Sequence, residues 1–264
     1  MNKQIVIALK SLAVLLFLLG VWQTMVSLYH VPRYILPGPI AVLSAARERV
    51  PSLLNSLLIT AEEAAGGLAA GIIAGVAVAM VFAQWRWLRQ LVYPYTILLQ
   101  TVPILAIAPL VILWMGAGIP AVMVVTFIIC LAPIIANATQ GLISVDTNLL
   151  QLFLMHNASQ GQILRKLRFP HSLPYLFVGI RISSGIAVIG AITGELFAGS
   201  TRVGQGGLGY SILYAMAQLQ TDYLFALVFA ATILGFAFFF IVMFFEWLYL
   251  HKWHESARSE VSDF

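Results

Sequence analysis

The chain has 264 residues, of which 61% are hydrophobic and 9% are charged, and its formal net charge is +4. Soluble domains carry about 25% charged residues, so this composition excludes a soluble globular protein and indicates an all-α, polytopic membrane protein. A small positive charge in such a protein reflects basic cytoplasmic loops, so we expect lipid and no nucleic acid as a partner. The single cysteine, Cys130, leaves no disulfide within one chain.

Six apolar stretches are long enough to cross the roughly 30 Å hydrocarbon core of a membrane as helices. We therefore predict about six transmembrane helices, over residues 11–30, 57–83, 91–115, 121–143, 174–198 and 223–250. The first stretch lacks a small-residue cleavage site, so we interpret it as a retained span and not as a signal peptide.

We predict a single transmembrane domain over residues 1–264. An N-terminal span and external loop (1–50) precede a core (51–250) that contains a cytoplasmic loop at 145–172, and a short cytoplasmic tail (251–264) follows. Within the external loop, residues 40–50 are expected to form a short amphipathic helix at the surface.

The second span carries Gly67, Gly71 and Gly75 at intervals of four residues. Small residues in this register share one helix face and let a neighbouring helix approach closely, so we expect that face to be packed. Glu62 and Glu63 lie near the start of the span. We expect both to be solvated at the membrane interface, with a path-lining role as the alternative.

The third span contains Pro94, Pro103 and Pro109. Three prolines free backbone groups that lipid cannot satisfy, so this helix is expected to bend and to face protein or water. Gln100 and Thr101 lie in the same bend. In the fourth span, Asn137 is expected to form a hydrogen bond across helices, with direct substrate contact as the alternative.

Residues 151–170, called the 151–170 segment below, are unusually polar for this chain and include Arg165, Lys166 and Arg168. They cannot face lipid, yet apolar side chains recur on one helical face. We predict two short amphipathic helices outside the membrane, with a cap at Asp146, an interruption at Gly161, and prolines that begin the next span. A solvated loop is the alternative, but the apolar face of Phe153, Leu154 and Met155 favours a docking surface.

Glu195 lies about 21 residues beyond Pro174, which is roughly 30 Å along a helix and hence near the outer boundary. We expect it to bind the glycine-rich stretch at 204–210, with lining of the substrate exit as the alternative. That stretch lacks the Gly-Lys pair of a phosphate-binding loop, so any ATP and Mg²⁺ must be bound by a partner. The histidines form no zinc motif, and we predict no catalytic residue, metal site or cofactor in this chain.

The distribution of basic residues predicts the orientation. With six spans and both termini inside, nine basic residues are cytoplasmic (Lys3, Lys10, Arg86, Arg89, Arg165, Lys166, Arg168, Lys252, Arg258) and four are external (Arg33, Arg47, Arg49, Arg202). Arg181 lies within a span and is not counted. Because basic residues are enriched in cytoplasmic loops, nine against four supports the orientation with both termini in the cytoplasm.

Several stretches resemble one family. In the 151–170 segment, Q-L-F at 151–153, Asn157 and L-R-F-P at 167–170 stand at the positions of the signature E-A-A, three residues, Gly, nine residues, I-x-L-P. This signature belongs to the permease subunits of binding-protein-dependent ABC importers, although the acidic residue and the glycine are absent here. Residues 100–103 (Q-T-V-P), 108–110 (A-P-L) and 113–116 (L-W-M-G) closely resemble the sulfonate, taurine, nitrate and pyrimidine branch.

The resemblance implies a type I ABC importer permease-like fold in a bacterial inner membrane. Two copies would form the pore, two ATPase subunits would bind the cytoplasmic loops, and an extracytoplasmic binding protein would deliver the solute. The coupling residues it implies are Gln151, Leu152, Phe153, Asn157, Ala158, Ser159, Gly161, Leu167, Phe169 and Pro170. The translocation path is expected to include Gln100, Thr101, Pro103, Pro109, Trp114, Asn137 and Glu195.

The substrate is less well defined. The sequences at 174–177 (P-Y-L-F) and 194–195 (G-E) resemble those of the family members that transport thiamine-precursor pyrimidines and riboflavin. Sulfonate, taurine or nitrate are the alternative substrates. The competing function is an ion-coupled secondary transporter independent of ATP, which prolines at the centre of a span also fit.

Overall fold

The computed structural model of the chain describes residues 3–198 and 206–251, with side chains from residue 9 onward. The regular structure of those residues is entirely helical, which confirms the predicted all-α class. The helices are α1 (Lys3–Leu28), α2 (Pro39–Glu48), α3 (Val50–Gln84), α4 (Arg86–Leu98), α5 (Ile104–Met115), α6 (Ile119–Ile143), α7 (Thr147–Met155), α8 (Gln160–Ile163), α9 (Phe169–Ala198), α10 (Leu208–Ala217) and α11 (Thr221–Leu250). Predictions for Arg202, for residues 204–205 and for residues 252–264 lie outside the described residues.

Five helical segments are long and apolar enough to cross a membrane: Leu9–Leu28, Val50–Gln84, Ile119–Ile143, Gln160–Ala198 and Thr221–Leu250. They correspond to five of the six predicted spans. The segments at Val50 and Gln160 begin seven or more residues earlier than predicted. Pro51 does not delay the first of these, because a proline in the first turn of a helix costs no hydrogen bond. The predicted loop at 84–90 is also wrong, since Trp85 alone separates α3 from α4.

The third predicted span is not one helix but two. α4 ends at Leu98 and α5 begins at Ile104, and two turns close the gap, with the N–H groups of Gln100 and Thr101 donating to Ile97 O and Leu98 O. Pro103 lacks an N–H and stands at the N-cap of α5. The predicted bend is therefore a complete break.

The centre of the bundle is α6, which packs against α3 on one side and α9 on the other. The predicted glycine face of α3 is confirmed: Cβ atoms added to Gly67 and Gly75 would lie 2.4 Å from Thr126 Cβ and 2.7 Å from Ile134 Cγ2. On the other side, a Cβ added to Gly190 would lie 2.9 Å from Ile129 Cγ2. The small residues therefore let three helix backbones meet closely.

These contacts also fix the helix directions. Higher-numbered residues of α3 meet higher-numbered residues of α6, so the two helices run parallel, whereas α9 runs antiparallel to both. Because α3 and α6 run in the same direction, the chain between them must cross the bundle once in the opposite direction. α4 and α5 make that return in two pieces, so the broken pair takes the place of the predicted third span.

The bundle has two distinct ends. One end, called the α7 end, carries the C-terminus of α3, the C-terminus of α6 and helices α7 and α8. The other, called the α2 end, carries α2, α10 and the N-terminus of α11, where Arg49 hydrogen-bonds Gln220 and stacks 4.8 Å over the ring of Tyr223. Helix α2 confirms the predicted amphipathic helix, with Val42 buried and Leu43 exposed.

Candidate functional site

A tight corner joins α7 to α8 within the 151–170 segment. The predicted cap at Asp146 is present, since its carboxylate accepts from Asn148 N–H at 2.6 Å. At the other end of α7, Ala158 N–H donates to Phe153 O and Asn157 N–H to Leu154 O, both at 3.0 Å. This pair of bonds is the Schellman motif that closes helix C-termini.

Asn157 sits at the left-handed position of that motif, with φ of +53°. Glycine adopts this conformation freely, and asparagine is one of the few other residues that tolerate it. The position is the one where the family signature has glycine. The substitution therefore keeps the backbone conformation that the signature requires.

The corner continues directly into α8 through a capping box. Gln162 N–H donates to Ser159 Oγ at 3.3 Å, and Ser159 N–H donates to the Gln162 side chain at 2.7 Å. The predicted interruption at Gly161 is wrong, because Gly161 lies inside α8. The first motif ends at Ala158 and the second begins at Ser159, so both sides of the corner are held by local hydrogen bonds.

The α7 side of the corner presents an exposed apolar surface. Leu152 and Leu154 are half exposed, and Met155 is 80% exposed. Beside them lies a cavity of about 380 Å³, lined by Leu152, Phe153, His156, Ala158, Gln162 and Lys166. An open cavity with an apolar rim can receive a side chain of a partner protein.

The other side of the corner is fixed to the bundle. Ile163 is 1% exposed, and Arg168 donates to Ala83 O in the last turn of α3 at 2.5 Å. Residues Leu164–Arg168 form a π-helical turn that leads into α9 without a break. Pro170 lies in the first turn of α9 and so begins this helix as predicted, whereas Pro174 lies inside α9 and does not begin it.

The predicted coupling residues accordingly divide into two groups. Gln151, Leu152, Asn157, Ser159 and Gly161 are exposed, and Phe153 and Ala158 are half-buried beside the cavity. Leu167, Phe169 and Pro170 are half-buried at the junction with the bundle. The first group faces outward from the α7 end, and the second joins that surface to α9.

The predicted path residues lie in different surroundings. Gln100, Thr101 and Pro103 are exposed at the break between α4 and α5, and Pro109 and Trp114 are exposed on α5, with Trp114 at 75%. Asn137 is half-buried and donates to Pro133 O of its own helix at 2.9 Å. The expected hydrogen bond of Asn137 across helices is therefore wrong.

Glu195 forms the predicted contact with the glycine-rich stretch. Its carboxylate accepts from Gly209 N–H at 2.5 Å and from Thr60 Oγ1 at 2.6 Å. Thr60 Oγ1 in turn accepts from Leu208 N–H at 2.8 Å. This buried network joins α3, α9 and the start of α10 at the α2 end.

Glu63 belongs to the same network, which the sequence interpretation missed. It is 3% exposed, and its carboxyl group lies beside that of Glu195 in the same buried region. The expectation of a solvated side chain holds only for Glu62, which is exposed. A signal was available, because Glu63 precedes Gly67 by four residues and so extends the packed glycine face by one turn.

This architecture defines the class: the protein is a multi-pass helical membrane protein. The chain belongs to the family of binding-protein-dependent transport system inner membrane components, whose model matches residues 67–251. It is therefore the permease subunit of an ABC importer, as the resemblance predicted. This membership favours the permease over the ion-coupled secondary transporter.

Two relatives and one solved structure illustrate the similarity. The riboflavin transport system permease protein RibX of Chloroflexus aurantiacus is 35% identical over 74% of this chain and 72% of its own length. The formylaminopyrimidine transport permease protein ThiX of Halalkalibacterium halodurans is 31% identical over 86% of this chain and 89% of its own. An inward-facing structure of the MetNI methionine ABC transporter matches 74% of this chain and 94% of its own, with 21% identity and a TM-score of 0.52, which confirms the fold.

Proposed function

We propose that this chain forms the solute path of its importer and couples that path to ATP hydrolysis by a partner ATPase through the 151–170 segment. The observation that carries the proposal is the corner between α7 and α8. It presents an apolar surface outward and is fixed to the bundle behind it. A mobile loop would need neither feature.

The contacts behind the corner provide a route for movement. When ATP binding draws two ATPase subunits together, α7 is displaced, and α8 and the π-helical turn transmit the displacement to α9. Arg168 transmits it to α3 through Ala83 O. Because α3 and α9 both pack against α6, the bundle moves as a unit between inward-open and outward-open states.

The broken pair α4–α5 provides the path. Gln100 and Thr101 are polar and exposed in the middle of a crossing, where neither side chains nor free backbone groups can face lipid. Trp114 is exposed on the same pair. We assign these surfaces to the interface between two copies of the chain, where the solute passes.

The remaining partners and the orientation follow from the same proposal. The complex contains two copies of this chain, two ATPase subunits that hold ATP and Mg²⁺, and an extracytoplasmic binding protein. It lies in the bacterial inner membrane with the α7 end and both termini in the cytoplasm. The α2 end faces the binding protein.

For the substrate we propose a small nitrogen heterocycle of the riboflavin or pyrimidine type. RibX and ThiX, whose names state riboflavin and formylaminopyrimidine, support this class. The test is uptake of labelled riboflavin and labelled formylaminopyrimidine by vesicles that contain the full transporter and its binding protein. Uptake of taurine or sulfonate alone would contradict the proposal.

The coupling role is tested by substitution of Ala158→Asp, which places a charge in the cavity beside α7. We expect loss of the co-purified ATPase subunit and of transport, with an unchanged unfolding temperature, because Ala158 is only half-buried and lines an open cavity. Ala117→Asp is the matched control, since Ala117 is exposed in the turn before α6. Full ATP-dependent transport by the Ala158→Asp variant would refute the docking role.

A further inference from the structure

A second cavity opens at the α7 end, between α4 and α6, and nothing described above uses it. Its volume is about 250 Å³, below the roughly 300–1,000 Å³ of pockets for drug-sized ligands. The size suits one small group and not a whole cofactor. Its polar lining consists of Arg89, Gln90 and Tyr93 of α4 and Thr139 and Gln140 of α6.

Thr139 points to a missing ligand. The side chain is 1% exposed, and its hydroxyl has no hydrogen-bond partner among the residues that the structure describes. Buried polar groups are nearly always paired, and an unpaired one calls for an explanation. A polar group bound in the cavity would supply the partner that Thr139 lacks.

The charge of the cavity is positive. Arg89 contributes a full positive charge, and the lining contains no carboxylate. The uncapped N-terminus of α4 adds about half a positive charge, which offsets the opposite half-charge at the C-terminus of α6. The charge of Arg89 therefore dominates.

We propose that this cavity binds one anionic group, such as a sulfonate, a carboxylate or a phosphate. Arg89 provides the charge, and Thr139, Tyr93 and the two glutamine amides provide neutral donors. Two sources share this chemistry: a soluble anion, or the headgroup of an anionic phospholipid. The second is supported by Trp85 and Trp87, which are exposed two to four residues before Arg89 in the chain and are of a residue type that is typical of the membrane interface. The site stands apart from the proposed coupling role, because binding needs neither ATP nor a partner.

The first test measures binding of sulfate to the full-length chain in phosphatidylcholine nanodiscs, with chloride at equal ionic strength as the reference. Bound sulfate raises the unfolding temperature. We expect Arg89→Gln to weaken sulfate binding by about tenfold or more, since a hydrogen bond to a charged group is lost. Arg86→Gln is the matched control, because Arg86 lies on the same helix outside the cavity and should bind as the wild type does.

Thr139→Val separates a ligand role from a structural one. Valine has nearly the same shape and removes the unpaired hydroxyl, so the variant should unfold at a higher temperature without sulfate and yet bind sulfate more weakly. A purely structural threonine would not give these opposite effects. Equal sulfate binding by Arg89→Gln, Thr139→Val and the wild type would overturn the site.

The second test identifies the source by native mass spectrometry with phosphatidylglycerol and phosphatidylcholine. Weakened sulfate binding in Arg89→Gln, together with retention of phosphatidylglycerol by the wild type and by Arg86→Gln but not by Arg89→Gln, assigns the site to a lipid headgroup. Equal retention by all three, together with weakened sulfate binding in Arg89→Gln, assigns it to a soluble anion. If Arg89→Gln changes neither measurement, the proposal is wrong.

Discussion

Asn157 occupies a backbone conformation that most side chains avoid, and the α7–α8 corner depends on it. Its φ of +53° aligns the N–H groups of Asn157 and Ala158 with two carbonyls at the end of α7. The exposed side chain itself forms no hydrogen bond among the described residues. The backbone conformation at this residue is therefore what the corner needs.

The conformation of Asn157 predicts that a glycine at this position is better tolerated than an alanine. Asn157→Gly should preserve the unfolding temperature and the recovery of the ATPase subunit, because glycine adopts positive φ without strain. Asn157→Ala should destabilise the corner by about 1 kcal/mol, the cost of the left-handed conformation for an ordinary residue. The measurement is thermal unfolding in detergent together with co-purification. Equal behaviour of the two variants would remove the conformational argument.

Glu62 and Glu63 provide a matched pair of neighbouring carboxylates. Glu63→Ala removes a buried side chain from the packed interface beside Glu195, so we expect destabilisation by about 1–3 kcal/mol. Glu62→Ala changes an exposed side chain and should stay within about 0.5 kcal/mol of the wild type. The measurement is the free energy of unfolding of both variants under the same conditions. Equal losses would show that the network does not stabilise the fold.

Single residues also show where sequence interpretation reaches its limit. The placement of Glu195 against the glycine-rich stretch was predictable from helix length alone. Glu63 was misplaced because hydropathy treats every carboxylate near a helix start as interfacial, although its register with Gly67 indicated burial. Asn137 was misassigned because a polar side chain in a helix can bond the preceding turn as readily as a neighbour.

At the scale of elements, the helices were predictable and their junctions were not. The length of an apolar stretch determines whether it can cross the membrane as a helix, so α6 and α11 lie close to their predicted bounds. Junctions depend on caps and turns of a few residues, which explains the misplaced interruption at Gly161 and the underestimated break at Pro103. The capping box at Ser159 and Gln162 matches a known sequence pattern and would have located the corner.

The link between the 151–170 segment and α3 gives a prediction at this scale. Arg168→Gln removes the guanidinium that Ala83 O accepts from, so the segment should still bind the ATPase but transmit less of its movement to α3. We expect transport per ATP hydrolysed to fall about fivefold or more, the range of coupling free energies between linked sites.

The control for Arg168→Gln is Arg165→Gln, which removes an equal charge from an exposed position three residues earlier. Transport, ATP hydrolysis and recovery of the ATPase subunit are measured for both variants in proteoliposomes. If both variants transport equally well, Arg168 is not part of the coupling route. If Arg168→Gln loses the ATPase subunit, its role is docking and not transmission.

At the scale of the whole molecule, the parallel packing of α3 and α6 fixes which elements share an end. The sequence predicted six crossings from hydropathy, and the structure obtains the same topology from five long helices and one broken pair. The break could not be derived from composition, because α4 and α5 together have the length of a single span. The positions of three prolines located the region but not the form of the break.

The two ends give a topological prediction. Met155→Cys at the α7 end and Tyr34→Cys near the α2 end introduce exposed thiols, whereas the native Cys130 is fully buried and should not react. In intact cells that express the chain without its ATPase subunit, so that Met155→Cys is not covered, a membrane-impermeant maleimide should label Tyr34→Cys only. After permeabilisation it should label both. The reverse pattern would invert the proposed orientation.

The α7–α8 corner has one more consequence. All of its defining hydrogen bonds join residues within five positions of each other, so its shape is encoded locally and does not depend on the rest of the bundle. The residues that set the shape are Asn157, Ser159 and Gln162, and those exposed beside them contribute little to it. The residues that determine the shape of the corner are thus different from the exposed apolar residues that would contact a partner. Under the proposed docking role, substitutions on the outward surface would change which ATPase is bound while the shape of the corner is retained.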